Sequence, residues 1–356
     1  MTRLLRFASR LYHLALPLSH LLYVLCALAP TGAAAAQARP WNGPGVGLDT
    51  LQPVQAVLRV GMTVADMDRS LAFYTGVLQF EVVADTEVVG PEWEARTGVF
   101  GVRLRLVRLR LGTEELALTE FLAASYPGRP LPVDGRSNDR WFQHVAIITS
   151  DMDSAYRRLR GYRVRSASTG PQLLPPTIPA AAGIRAFYFR DPDGHALEIL
   201  QFPPDKGDPR WQATGALFLG IDHTAIVVSD TERSLAFYRD RLGLRVAGGS
   251  ENFGTEQAHL NNVEGAHLRI TALRAANGPG IEFLEYLQPR DGRPYPADAR
   301  PTDLVHWETT LVVPSPAAVA ARLAAQGYRL ISRNSPAPAG VLLRDPDGHA
   351  IALVAP

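Results

Sequence analysis

Cysteine is almost absent from this chain. Cys26 is the only one among 356 residues. An internal disulfide is therefore ruled out, and so is a thiolate-held metal site once the segment carrying Cys26 is removed. Lysine is nearly as scarce. Of 36 basic residues only Lys206 is a Lys. It lies in PPDKGDP, a polar stretch without the apolar walls that activate an amine, so Schiff-base chemistry is not expected. Excess charge is missing too. The formal net charge is +1, which gives no overall field to gather nucleic acid.

An uninterrupted hydrophobic run is the last absence. The apolar stretch LALPLSHLLYVLCALAP is broken by Pro17, Ser19 and His20 and is short for a membrane span. A basic, acid-free segment precedes it, and Ala36-Gln37-Ala38 follows as a small-x-small cleavage site. This is the layout of a secretory signal over residues 1–38. It predicts a secreted or periplasmic mature protein with no cysteine and no stable membrane span.

The remainder of the chain repeats itself. SLAFYTGVLQF, starting at Ser70, returns as SLAFYRDRLGL at Ser234. The segment starting at Asn138 returns more weakly at Thr302, with the same spacing. The mature chain thus reads as a duplicated domain, residues 53–204 and 217–356, joined by a linker over 205–216 rich in structure-breaking residues. Each half divides again. HVAIITSDMDSAYRRL and HTAIVVSDTERSLAFY both read as a β-branched strand, an Asp at the N-cap position and an amphipathic helix. RDPDGHALEIL reads as a turn followed by a strand. The unit is βαβββ and it occurs four times, starting near Val54, Phe142, Ile221 and Val305. The fold class is α+β, with curved mixed sheets.

The SLAFY and RDPDGH phrases resemble those of the vicinal oxygen chelate superfamily, which includes glyoxalases, bleomycin-resistance proteins and extradiol dioxygenases. The resemblance covers nearly all of the chain after about Pro53. It implies paired units whose sheets curl around a cup, with metal ligands on the first and last strand of each unit. The first-strand position lies seven residues before the helix-cap Asp. It is His144 before Asp151, His223 before Asp230 and Arg59 before Asp66. In the fourth unit the repeat spacing gives Glu308, with His306 on the same strand face. By the resemblance, the last-strand residue is Glu198 in unit two and Ala352 in unit four. GIEFLEYL supplies Glu282 in unit three, with Glu285 facing the other way, and Ala117 takes that place in unit one.

The four candidate ligands, two His and two Glu, are concentrated in the inner units. His144, Glu198, His223 and Glu282 form a complete set if unit two pairs with unit three. The outer cup then holds Arg59, Ala117, Glu308 and Ala352, an unfavourable set for a cation that an Arg–Glu pair can fill. Pairing one with two and three with four leaves each cup with too few ligands for a durable site. The inner pairing is therefore expected, and a single chain can supply both sides of its cup, so a monomer suffices. His306 reads as a structural histidine. His195 and His349 follow the DPDG turns and read as turn or rim residues. Asn261, Asn262 and Glu256, in SENFGTEQAHLNNVEG, border the cup either as ligand-orienting groups or as a turn.

Two imidazoles and two carboxylates suit one divalent ion among Zn, Ni, Co, Fe and Mn. The resemblance implies a glyoxalase-like lyase or isomerase acting on a small molecule. It would transfer a proton next to a metal-chelated carbonyl or enediolate, with Glu198 or Glu282 as the base. A non-catalytic, bleomycin-resistance-like binder is the rival. An extradiol-type dioxygenase fits less well, since its ligands would come from units three and four. Export argues against glutathione-linked detoxification.

Overall fold

The computed structural model describes residues 54–333 and 340–356. The expected signal segment and Cys26 lie outside them. Unit one comprises β1 (Ala56–Val64), α1 (Met67–Gly76), β2 (Glu81–Val89), α2 (Pro91–Thr97), β3 (Arg103–Leu111) and β4 (Glu114–Ala123). Unit two comprises β5 (Gln143–Thr149), α3 (Met152–Gly161), the short β6 (Arg165–Ser166) and β7 (Gln172–Leu173), β8 (Arg185–Arg190) and β9 (Ala196–Gln201). Unit three comprises β10 (Phe218–Val228), α4 (Thr231–Tyr238), β11 (Arg245–Asn252), α5 (Thr255–Asn261), β12 (His267–Arg274) and β13 (Gly280–Gln288). Unit four comprises β14 (Trp307–Val312), α6 (Pro316–Ala325), β15 (Val341–Arg344) and β16 (Ala350–Val354). Units one and three insert a short helix after their second strand. In unit four the second strand shrinks to a bridge between Leu330 and Leu343.

The first helix of each of the first three units starts for the reason the sequence suggests. Asp66, Asp151 and Asp230 have extended backbones and accept from the amides of Arg69, Ser154 and Arg233. Each satisfies one orphan donor of the first helical turn.

The sheets join units across the two halves. One seven-stranded sheet runs β15-β16-β14-β1-β4-β3-β2, pairing unit four with unit one. The nine-stranded sheet runs β11-β12-β13-β10-β5-β9-β8-β6, with β7 also paired to β8, and joins unit three to unit two. The cores follow the other division. Val60, Met62, Tyr74, Ile147, Phe187 and Phe189 share one buried cluster, from units one and two. Phe237, Phe283, Leu311, Leu323 and Leu353 belong to a second, from units three and four. Each sheet thus turns one face to helices and core and the other to a cup. Burial of each such large side chain contributes about 1.5–3 kcal/mol.

The DPDG turns tie the units together. Asp191 accepts from the amides of Asp193, Gly194 and His195, and Asp345 from those of Asp347, Gly348 and His349. The SLAFY tyrosines reach these same carboxylates: Tyr74 Oη donates to Asp191 at 3.1 Å, and Tyr238 Oη to Asp345 at 3.0 Å. His195 and His349 are therefore not rim residues. Both are buried, and their Nε2 atoms bond the carbonyls of Leu304 and Val227 at 2.9 Å each. A turn that reads as solvent-exposed in sequence is here plugged into another unit, and burial requires that its polar groups be paired.

Candidate metal centre

The inner cup is built on the junction of β10 and β5, which run antiparallel. Ala225 lies opposite His144, and His223 opposite Ala146. The flanking parallel strands extend both rows. Glu282 of β13 sits beside Ala225, and Glu198 of β9 beside Ala146. Two adjacent rows result, Glu282–Ala225–His144 and His223–Ala146–Glu198. They are related by a local two-fold and share one face of the sheet. The alanines between the functional residues leave space over the floor.

These side chains converge. His144 Nε2 is 3.1 Å from Glu198 Oε2, and His223 Nε2 is 3.8 Å from that same oxygen. His223 Nε2 is also 3.3 Å from Glu282 Oε2. Ligand atoms of His144, Glu198 and His223 all lie within 4.8 Å of one another. Bonds of about 2 Å to one ion place donor atoms roughly 3–4 Å apart, so the spacing fits. Glu282 approaches His223 and stands outside that tighter group. It is also the most open of the four, with its side chain 24% exposed against 2–6% for the others.

The donor set also passes a chemical test. Neither ring nitrogen of His144 makes a hydrogen bond among the described residues, although both are buried; the Glu198 oxygen 3.1 Å from Nε2 is out of line for one, and Nδ1 has no polar partner. An unpaired buried polar group costs about 1–3 kcal/mol, and a cation in the cup would satisfy it. The ring is held between Tyr188, with centroids 4.8 Å apart, and Phe142 at 5.7 Å.

His223 has a second partner that the sequence pattern does not reveal. Its Nδ1 is 2.9 Å from Asp222 Oδ2, which directs Nε2 into the cup. Alternation would send Asp222 to the opposite face, but the β10–β5 register slips between Ile221 and His223. Arg274 donates to both Asp222 oxygens at 2.9 Å, and Trp211 Nε1 donates to Oδ1 at 3.0 Å. Two glycines make room for this bracket. A Cβ at Gly280 would lie 2.9 Å from the Arg274 guanidinium carbon, and one at Gly220 the same distance from the Trp211 ring. Trp211 belongs to the 205–216 segment expected to link the halves. That segment forms a 3-10 turn, Pro209–Gln212, with the indole buried. Burial by itself would lower the pKa of His223; the negative charge of Glu282 and the bond to Asp222 outweigh it and push the imidazole up to about 9. A metal ion binding there displaces that proton.

The cup is large, about 850 Å³, and its walls include Tyr188, Asn252, Gln257, Leu260, Arg245 and Arg274. Asn252 donates to Gln257 at 2.9 Å, and Gln257 in turn donates to Asn261. Asn261 is thus buried behind Gln257 rather than lining the cup. Asn262 instead caps α5 in a left-handed turn, with φ 52°, and Glu256 lies in that helix's first turn. Glu285 faces away as expected, accepting from the Thr231 hydroxyl at 2.7 Å.

The outer cup repeats this scaffold with other side chains. Glu308 lies opposite Gly61, which neighbours Ala117; Arg59 lies opposite Thr310, which neighbours Ala352. The anticipated Arg–Glu pair exists, but Arg59 is not in it. Arg96 of α2 binds Glu308 at 2.6 Å, while Arg59 bonds Glu115 at 3.2 Å. The inserted helix α2 brings a guanidinium that strand alternation could not reveal. His306 Nε2 bonds Glu308 Oε1 at 3.1 Å. Its Nδ1 is buried without a hydrogen bond, so it is only half satisfied as a structural histidine.

Comparison with known proteins agrees with this architecture. The family model "Glyoxalase/Bleomycin resistance protein/Dioxygenase superfamily" matches residues 56–199 and 220–353. The chain is 34% identical over 167 residues to a 2-epi-5-epi-valiolone epimerase from Actinomyces sp, a match covering 45% of this chain and 85% of that protein. A point mutant of glyoxalase I from Zea mays superposes with a TM-score of 0.55 at 16% identity, covering 84% of this chain and 93% of that one. A putative dioxygenase from Bacillus subtilis gives 0.51 at 14% identity, over 85% and 86% of the two chains. These two likenesses concern the fold alone. With two matched regions that together span most of its length, the chain belongs to the glyoxalase/bleomycin resistance protein/dioxygenase superfamily.

Proposed function

We propose that the inner cup holds one divalent cation through His144, Glu198, His223 and Glu282, and that the protein is an epimerase or related isomerase moving a proton beside a carbonyl. The observation that carries this reading is the buried His144 imidazole without a hydrogen bond, set among two carboxylates and a second, oriented imidazole. The set contains no thiolate and suits Zn, Ni, Co, Fe or Mn. When bound, the cation supplies a positive charge that polarises a carbonyl oxygen and makes the neighbouring C–H more acidic.

The rest falls to the chain itself. Glu198 and Glu282 end two antiparallel rows and therefore approach the cup from opposite sides. One carboxylate takes the proton from one face of the carbon, and the other returns a proton to the opposite face. The configuration inverts and no atom is gained or lost. This two-sided arrangement favours an isomerase over a lyase, and the similarity to a protein named an epimerase points the same way. Burial, with the charge of Glu198 adding to it, pushes the Tyr188 phenol well up. Tyr188 therefore stays neutral and able to donate a hydrogen bond. Asn252 and Gln257 offer amides to substrate hydroxyls, and the enclosing walls limit water.

The test is metal analysis together with hydrogen exchange. The purified protein, incubated with hydroxy ketones in deuterated buffer, should contain one metal equivalent and incorporate deuterium beside the carbonyl. One equivalent of metal with no exchange on any compound that binds would make the protein a binder. Full exchange in metal-stripped protein would remove the cation from the reading.

A further inference from the structure

We propose that the outer cup is a second small-molecule site, which takes an organic monocarboxylate with an apolar body. The substituted ligand positions have not collapsed into core. A cavity of about 350 Å³ remains over them, within the range of small-ligand pockets. Its walls fall into two parts. Arg59, Arg96 and Arg108 contribute guanidinium groups, and Trp93, Leu106 and Val88 contribute an apolar side.

The charges do not balance within the cavity. Arg96 and His306 already bind Glu308, the carboxylate of the lining. Arg59 and Arg108 share one oxygen of Glu115, each at 3.2 Å, and Arg110 reaches the other at 3.2 Å. One carboxylate therefore serves three guanidinium groups. Among the described residues Arg59 and Arg108 each make only that one hydrogen bond, leaving most of their five N–H donors to spare. Two adjacent, underused forks fit a carboxylate, which accepts paired N–H bonds. His306 supports the assignment independently. It lines the cavity, its side chain is 2% exposed, and Nδ1 has no partner.

The experiment is calorimetric titration of the full chain with acetate, hexanoate, benzoate and hexanol at low salt. Hexanoate or benzoate should saturate one site per chain, with acetate and hexanol at least tenfold weaker. Arg108→Gln and Arg59→Gln should each weaken binding tenfold or more, whereas His144→Ala, in the other cup, should leave it unchanged. Arg108 is the safer variant, since its side chain is 45% exposed and its replacement should leave the fold intact, as an unchanged denaturant midpoint would show. Trp93→Ala should weaken hexanoate or benzoate while leaving acetate as weak as before. Three results would overturn the proposal: no saturation by either carboxylate at about 10 mM, hexanol binding as tightly as hexanoate, or loss of binding in His144→Ala with retention in both arginine variants.

Discussion

The two cups are the same construction with different chemistry. In both, two units meet through antiparallel first strands, and four residues occupy corresponding places on the concave face. His144 corresponds to Glu308, His223 to Arg59, Glu198 to Ala352 and Glu282 to Ala117. Even the slip of register recurs, between Val57 and Arg59 in β1 and between Ile221 and His223 in β10. In the inner cup the slipped residue is Asp222, which orients an imidazole. In the outer cup it is Leu58, 37% exposed. A scaffold that positions donors for a cation serves equally well to position guanidinium groups, and the substitutions turn a surplus of lone pairs into a surplus of N–H donors.

The most direct way to break the comparison is to make the inner cup resemble the outer. His144→Ala or His223→Ala should each abolish both the bound metal and deuterium exchange. This joint dependence distinguishes one shared site from two half-sites. If either variant keeps a full equivalent of metal by elemental analysis, the imidazoles do not act together. Next in size are the carboxylates. Glu198→Gln and Glu282→Gln should each reduce the proposed deuterium exchange by about 10²–10⁴-fold, the usual contribution of a positioned base. On the proposed two-base reading, each variant should depress exchange from one epimer more than from the other. Equal loss from both epimers would reduce the pair to a single base.

Much of this is legible because repeats carry a ruler. The helix-cap Asp sits at a fixed distance from the first-strand position, so His144, His223 and Arg59 can be placed by counting, the repeat spacing adds Glu308 where the cap is Ser315, and the uneven distribution of these residue types indicates which units pair. What escapes has no period. Asp222 faces the cup because of a bulge, Trp211 comes from the segment between the halves, and Arg274 crosses above a glycine. No alternation rule links the three. Arg96 rides on a helix that only two of the units contain. For His195 and His349, read as turn or rim residues, the turn alternative holds and the rim alternative fails, because a DPDG turn is normally solvated and nothing local shows that another unit will cover it.

The bracket around His223 sharpens the comparison at intermediate size. Asp222→Asn keeps the shape but loses the negative charge opposite Nδ1. Metal affinity, measured by competition with a chelator, should fall about 10–100-fold, and exchange should be restored at saturating metal. A variant that stays inactive when fully loaded would give Asp222 a role in the chemistry itself.

The smallest effect on catalysis should come from Glu308, and its smallness is informative. Glu308 occupies the place of His144 in the repeat, so a shared role for the two cups would make both residues essential. Its surroundings say otherwise. Arg96 and His306 hold it, and the Arg96 guanidinium and His306 keep its carboxyl well below the usual carboxylate range despite burial. Glu308→Gln retains the shape but leaves Arg96 facing a neutral amide. This should cost about 1–3 kcal/mol of stability, read as a lower denaturant midpoint, and change inner-cup exchange by less than about twofold, as expected for sites without shared partners. A tenfold loss of exchange at unchanged stability would mean that the outer cup controls the inner one, and the two would have to be treated as a coupled pair.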